Sequence, residues 1–241
     1  MTLSTLEVNF GNNPIPFAYR QHSLGDKGVI KQIFQNSDYA INLWPQGKRF
    51  VEYFVNNTVN TPGLIIDAGA NIGASAVYFL EIYTNAFVYA IEPDTNNFKL
   101  LTMNTERYEN KKNFHGAIAK KDGVLSLEDP GHSDWGFRTH ECIDDSNQIK
   151  VQAVSPQTIL KEMHGMNPMI FKIDIEGGEQ NLFEDDTSWM RQFPLVIIEL
   201  HDWMLPFSGS SKSFLKAVAQ YDFDFVHKGE NIFLFNRELL S

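Results

Sequence analysis

The run Gly63-Leu64-Ile65-Ile66-Asp67-Ala68-Gly69-Ala70-Asn71-Ile72-Gly73 decides the fold. Its apolar start has no polar alternation, which suits a strand buried on both faces of a parallel sheet. The glycines that follow give a turn, and Ile72, Ala76, Phe79 and Leu80 then recur at helical spacing. Strand, glycine turn and helix in that order open a doubly wound α/β domain.

The same alternation continues outward from this run. Ala86-Phe87-Val88-Tyr89-Ala90-Ile91 reads as a second strand, and Asp94 as the N-cap of a helix reaching about residue 108. Asn113-Phe114-His115-Gly116-Ala117-Ile118 reads as a third strand. Residues 123–127 and 149–154 read as strands flanking a polar insertion over 129–148, and Ser155-Pro156 as a capped helix start. Met169-Ile170-Phe171-Lys172-Ile173-Asp174 is a fourth core strand, with a helix expected from Glu176. Leu195-Val196-Ile197-Ile198-Glu199-Leu200 is a fifth, residues 212–220 are helical, and 223–226 with 232–235 form a terminal hairpin adding an antiparallel edge.

The first sixty residues have a different texture. Turn clusters at Gly11-Asn12-Asn13-Pro14 and Asn56-Asn57-Thr58 bracket a strand-like Phe17-Ala18-Tyr19 and helices over 26–34 and 48–55. The expected organisation is an N-terminal extension, 1–60, packed on a Rossmann-like domain, 61–241.

Composition narrows the function classes. The 241 residues carry 20 Lys and Arg against 30 Asp and Glu, a formal net charge of −10. That balance argues against nucleic acid and anionic membrane as partners, since phosphates are gripped by clustered Lys and Arg. The single cysteine, Cys142, excludes an internal disulfide and a thiolate metal site. Met1-Thr2-Leu3-Ser4-Thr5-Leu6 lacks the features of a signal peptide, and no apolar run reaches the ~20 residues of a bilayer span, so a cytoplasmic location is expected.

Ligands of doubly wound sheets bind beyond the carboxyl ends of the strands. That rule selects Asp67 to Gly73, Glu92, Ala117, Asp174 to Gly178 and Glu199 to Asp202. Glu92 ends its strand 19 residues after Gly73, where a carboxylate can grip a ribose diol. A dinucleotide fingerprint wants glycine where Asn71 stands, and Asp67 repels a pyrophosphate in a loop with no Lys or Arg. S-adenosylmethionine brings an ammonium, a sulfonium and a diol but no phosphate, so the charges favour the methyl donor over NAD.

Three runs together resemble the FkbM-type methyltransferases. They are Ile65 to Gly73; Ile91-Glu92-Pro93-Asp94 with Phe98, Leu101 and Asn104; and Phe171-Lys172-Ile173-Asp174-Ile175-Glu176-Gly177-Gly178-Glu179. The resemblance covers roughly residues 20–236 and departs at Gly178, where the family usually has alanine. It implies a class I methyltransferase fold with seven core strands and, most often, methyl transfer to a hydroxyl oxygen. It also implies that Asp67, Gly69, Asn71 and Gly73 cradle the methionine part of the cofactor, Glu92 the ribose and the stretch around Ala117 the adenine.

An alcohol acceptor must lose its proton, so candidate bases belong at the ends of the fourth and fifth strands. Asp174, Glu176 and His201 are the catalytic candidates. Lys172 shares a face with Asp174 and needs a partner among Asp174, Asp67 and Glu199. Glu199 shares a face with His201 and is expected to orient its imidazole, whereas Glu179 suits helix capping. His132, Trp135, Arg138 and His140 in the insertion suit an acceptor pocket for a small hydroxylated molecule, a sugar or a glycan. Asp174, Glu199 and Asp202 offer hard oxygen ligands, but no spacing demands a metal and none is assigned. A nicotinamide-dependent oxidoreductase and a non-catalytic interaction protein retaining the fold remain the alternatives.

Overall fold

A computed structural model describes residues 2–10, 13–128, 138–141, 149–204 and 206–241. The chain opens with strands β1 (Leu3–Phe10) and β2 (Asn13–Arg20), then helix α1 (Leu24–Ile30), a π-turn over Lys31–Gln35 and helix α2 (Pro45–Asn57). Next come β3 (Gly63–Ala68), α3 (Ala74–Ile82), β4 (Ala86–Glu92), α4 (Thr95–Thr105) and β5 (Lys111–His115). Four short strands follow: β6 (Ala117–Ile118), β7 (Gly123–Glu128), β8 (Arg138–Glu141) and β9 (Ile149–Val154). The chain continues through α5 (Pro156–Glu162), β10 (Asn167–Ile173), α6 (Glu179–Leu182), a 3-10 turn over Ser188–Gln192 and β11 (Leu195–Glu199). It ends with α7 (Lys212–Val218), β12 (Phe223–Lys228), β13 (Asn231–Asn236) and α8 (Arg237–Leu240).

The central sheet has seven strands in the order β12-β13-β11-β10-β3-β4-β5. Every residue of β3 is buried, as its unbroken apolar run requires. The chain starts in the middle at β3, winds outward through β4 and β5, then returns to β10 on the other side of β3. The switch point therefore lies between β3 and β10, where a crevice opens beyond the strand ends. The pairs among β11, β10, β3, β4 and β5 are all parallel. Only β13 is reversed: it pairs antiparallel with β11 on one side and with β12 on the other. The antiparallel member of the hairpin thus sits one place inside the sheet, and the edge strand β12 runs with the others.

Three further expectations are corrected. The third strand is broken at Gly116 into β5, which joins the main sheet, and β6, which joins a small sheet of order β6-β9-β7-β8. A Cβ on Gly116 would stand 2.4 Å from the Gln152 carbonyl oxygen, so the crossing between sheets passes too close for any side chain. The insertion contains a strand, β8, which pairs with β7. The helix expected from Glu176 starts only at Glu179, because Glu176 (φ +51°) and Gly177 (φ +91°) are left-handed and interrupt it.

The cores lie on the two faces of the central sheet. One face joins Ile65, Val88 and Ile197 to α3 and to Phe17, Ile33, Tyr39 and Phe50 of the first sixty residues. The other joins Ile66, Phe171 and Ile198 to Trp189, Phe193 and Phe214. The N-terminal segment is also stitched by polar groups. Asn104 Nδ2 donates to the carbonyls of Ala18 (2.9 Å) and Ile72 (2.8 Å), and its Oδ1 accepts from the Ala18 N–H at 2.7 Å. One side chain thereby fixes β2, α4 and the glycine turn together. No helix among the described residues is long and apolar enough to cross a membrane.

Candidate active site

The glycine turn after β3 is held from both sides. Gly69 (φ +77°), Asn71 (φ +51°) and Gly73 (φ +92°) are all left-handed. A Cβ on Gly69 would fall 1.7 Å from the Asp174 carbonyl oxygen, so the turn and the end of β10 touch backbone to backbone. Glu92 Oε2 accepts from the Asn71 N–H at 2.8 Å, and Oε1 from the Asp94 N–H at 2.9 Å. Burial pushes the Glu92 carboxyl up to about 7 against the opposing pull of those two backbone donors.

Glu92 is further tied to the N-terminal segment. Asn97 Nδ2 lies 3.4 Å from Glu92 Oε1, and Asn97 Oδ1 accepts from Arg20 Nη2 at 2.8 Å. Arg20 Nε in turn donates to Asp26 Oδ2 at 3.0 Å within the buried pair. Next to Glu92 in the sheet is His115, whose ring stacks on Phe98 with centroids 4.6 Å apart. Ala117, two residues on, is buried in β6. Glu92, Phe98, His115 and Ala117 therefore gather at the ends of β4 and β5. His115 had no signal in the sequence beyond its place at a strand end.

Lys172 is the bolt across the switch point. It lies opposite Asp67 in the β10–β3 register, and its Nζ stands 3.1 Å from Asp67 Oδ1. The same ammonium donates to the Gly69 carbonyl at 2.6 Å and stands 3.6 Å from Asp174 Oδ2. Burial opposes its charge, but Asp67, Tyr39 and Asp174 together outweigh burial and hold the ammonium well above its ordinary range. Asp67 has no exposed surface, and its Oδ2 accepts from Ser75 Oγ at 2.6 Å. Of the three partners considered for Lys172, Asp67 and Asp174 are in contact, and Glu199 is not among its ion pairs. Asp67 thus braces the glycine turn from beneath.

The third group surrounds His201, whose side chain is 2% exposed. The sequence pairs this imidazole with Glu199; the structure gives Nδ1 to Glu179 Oε1 at 2.7 Å. Glu179 is buried and therefore orients His201 rather than merely capping α6. Around Nε2 stand Glu176 Oε2 at 3.5 Å, Asp174 Oδ1 at 3.6 Å and Glu199 Oε1 at 3.6 Å. The left-handed turn at Glu176 and Gly177 is what swings Glu176 back toward the histidine. Burial pulls the imidazole down, but the Glu179 hydrogen bond and the Asp174 and Glu176 carboxylates prevail and push it up to about 10. Burial, then repulsion from Asp174, pushes Glu176 up to about 7 and Glu199 up to about 8.

Asp174, Glu176 and His201 are thus brought to one point, beside the glycine turn. Asp202 is turned away, accepting from Ser210 Oγ at 3.1 Å and from the Ser211 N–H at 3.4 Å. Tyr39 arrives from the N-terminal segment, stacked on Phe79 with centroids 5.5 Å apart. Burial holds its phenol well above the usual range, and the charges of Lys172 and Asp174 act on it. His132, Trp135 and Cys142 lie outside the described residues, and Arg138 and His140 are described only by their backbone in β8.

A seven-stranded sheet with one reversed strand inside its edge, a glycine turn at the switch point and an acidic strand end beyond it define a class I methyltransferase. The family model described as the methyltransferase FkbM domain matches residues 67–228, and the chain belongs to that family. It is accordingly an S-adenosylmethionine-dependent methyltransferase, which resolves the cofactor alternatives against NAD. Hexuronic acid methyltransferase AglP of Haloferax volcanii is 26% identical over 56% of this chain, and the match spans only 54% of that protein. Methyltransferase 1 of Beauveria bassiana is 22% identical, with 80% of this chain and 93% of that protein covered. Among solved structures, a methyltransferase from Geobacter sulfurreducens superposes with a TM-score of 0.42 at 10% identity, covering 90% of this chain and 89% of that one.

Proposed function

We propose that the protein transfers a methyl group from S-adenosylmethionine to a hydroxyl oxygen of a small acceptor of the sugar or sugar-acid class. The observation that carries this reading is the meeting of Asp174, Glu176 and His201 beside the Gly69 turn. The cofactor supplies an electrophilic methyl group on a cationic sulfur. The residues around its site suit such a molecule: they present carboxylates, and the turn offers no Lys or Arg side chain to a phosphate.

In this reading the Asn71 and Gly73 backbone and Asp67, acting through Lys172 and Ser75, shape the pocket for the methionine part. Glu92 accepts from the ribose diol, each of its oxygens already aimed by one backbone N–H. Phe98, His115 and the stretch around Ala117 flank the base. The acceptor hydroxyl gives up its proton to the carboxylate–imidazole cluster at the ends of β10 and β11. Holding oxygen and carbon in line then supplies several kcal/mol of the barrier. The sugar acceptor is supported by the similarity to the hexuronic acid methyltransferase AglP.

The test is transfer of a labelled methyl group to a panel of hydroxylated sugars, sugar acids and amines, with the product located by NMR. An O-methyl ether supports the proposal. Label found only on nitrogen or carbon overturns it.

A further inference from the structure

We propose that Asp174, Glu176 and His201 form a divalent-cation centre suited to Mn2+. One ligand atom from each lies within 4.8 Å of the others. The three come from separate points of the chain: the end of β10, the left-handed turn after it and the segment after β11. His201 Nε2 stands 3.5 Å from Glu176 Oε2 and 3.6 Å from Asp174 Oδ1. Those separations are too long for good hydrogen bonds. They are close to the ~3–3.4 Å edge between neighbouring ligands that each sit about 2.1–2.2 Å from one shared ion.

The imidazole is also aimed as a metal ligand is. Its Nδ1 is taken by the buried Glu179, which turns Nε2 toward the carboxylates. A carboxylate on the far ring nitrogen is the usual way a ligating histidine is fixed. A second sign is the unmet polar atoms. Glu179, with its side chain 1% exposed, leaves Oε2 without a hydrogen-bond partner, and the buried Glu176 Oε2 has none either. With Glu199 also 3.6 Å from Nε2, four carboxylates surround one imidazole. Lys172, the nearest ammonium, is already held by Asp67 and the Gly69 carbonyl.

The donor set chooses the ion. One imidazole with two carboxylates is too poor in oxygen for Ca2+, which takes six to eight oxygen ligands, and lacks both the thiolates of structural zinc sites and the second histidine of the usual imidazole–carboxylate catalytic ones. Carboxylate with imidazole suits Mn2+ among the abundant cations. Three protein ligands leave positions open, and an acceptor hydroxyl can fill one. That last point rests on the proposed function; the binding of the ion does not.

The experiment uses the full chain stripped with EDTA and titrated with MnCl2 at pH 8, followed by calorimetry and by loss of the free-Mn2+ EPR signal. One ion per chain is expected. The double variant Asp174→Asn, Glu176→Gln should bind at least 100-fold more weakly, and Glu179→Gln 10- to 100-fold more weakly. Glu162→Gln, in a surface pair with Lys112, should bind as the parent does. No binding by the folded parent, preference for another metal, or parent-like affinity in the double variant overturns the proposal. Circular dichroism reports folding, and His201→Gln replaces the double variant if that does not fold, with parent-like affinity again overturning it. Titration of the same stripped protein with S-adenosylmethionine separates the two readings, since its failure bears on the cofactor pocket and not on the ion.

Discussion

The Asn71 N–H and the Glu92 carboxylate are joined by a 2.8 Å hydrogen bond across 21 positions of sequence. The bond links the glycine turn after β3 to the end of β4, so the turn and the Glu92 carboxylate are tied together. Burial raises the Glu92 carboxyl to about 7 even though this bond and the one from the Asp94 N–H pull it down.

Glu92 therefore makes stability depend on pH. Its folded form keeps the proton up to about 7, whereas the unfolded chain releases it near the ordinary 4.5. Between those values the native state binds more protons, so stability falls as pH rises. The full effect is up to about 3 kcal/mol. Urea unfolding of the parent and of Glu92→Gln at pH 5 and pH 7.5 should show the parent losing ground to the variant at the higher pH. A constant gap between the two means that Glu92 titrates normally.

Cofactor affinity should move the other way with pH. A ribose diol is bound best by the ionised carboxylate, so the parent's Kd for S-adenosylmethionine should rise as pH drops from 8 to 6. Glu92→Gln should bind at least tenfold more weakly at pH 8 and show a flat profile, since a charge-assisted hydrogen bond is worth roughly 1.5–3 kcal/mol. Calorimetry measures both. An unchanged Kd in the variant removes Glu92 from the pocket.

Gly69→Ala should be among the most damaging single-atom additions in the chain. The new methyl group would fall 1.7 Å from the Asp174 carbonyl oxygen at a φ of +77°. The turn must part from β10 to admit it, costing on the order of 3 kcal/mol or more. A Tm within two or three degrees of the parent, at about 2–4 °C per kcal/mol for this size, would show that the contact yields easily.

Asn104→Ala should loosen the N-terminal hairpin without touching the site chemistry. It leaves the Ala18 N–H and the Ile72 carbonyl without this partner. A loss of about 1–3 kcal/mol follows. Hydrogen exchange should rise in β1 and β2 before it rises in β3; uniform protection across all three would count against the role assigned to Asn104.

Asp174→Asn should separate chemistry from cofactor binding. Turnover with saturating methyl donor should fall by 10²–10⁴, the usual range for a group that handles the acceptor proton. The Kd for the methyl donor should stay within a fewfold. Full turnover in the variant would move the proton-handling role elsewhere in the cluster.

Much of the site is legible in local sequence because its backbone parts are local. Asp67 to Gly73 is one strand end and one turn, and the apolar run before it can only be a buried strand. Asp94 announces its helix by capping chemistry and does accept from the N–H groups of Asn96 and Asn97. Glu92 is reached by counting along one strand–helix–strand unit. The order of elements, and hence the crevice at the switch point, follows from the alternation of strands and helices.

What the sequence alone determined was which residues end up at the carboxyl edge, because strand periodicity and glycine positions are properties of neighbouring residues. Which of those residues touch was decided only by the tertiary structure. The pairing of Lys172 with Asp67 depends on strand register, and that of His201 with Glu179 on a left-handed turn at Glu176 that no helical pattern announces. Arg20, Asn97 and Glu92 form a chain of contacts that joins residues 72 positions apart in sequence. Side chains so far apart in sequence meet only when two buried faces are packed against the same sheet. The free energy that holds them there is the burial of the core, which is a property of the whole fold and not of any segment.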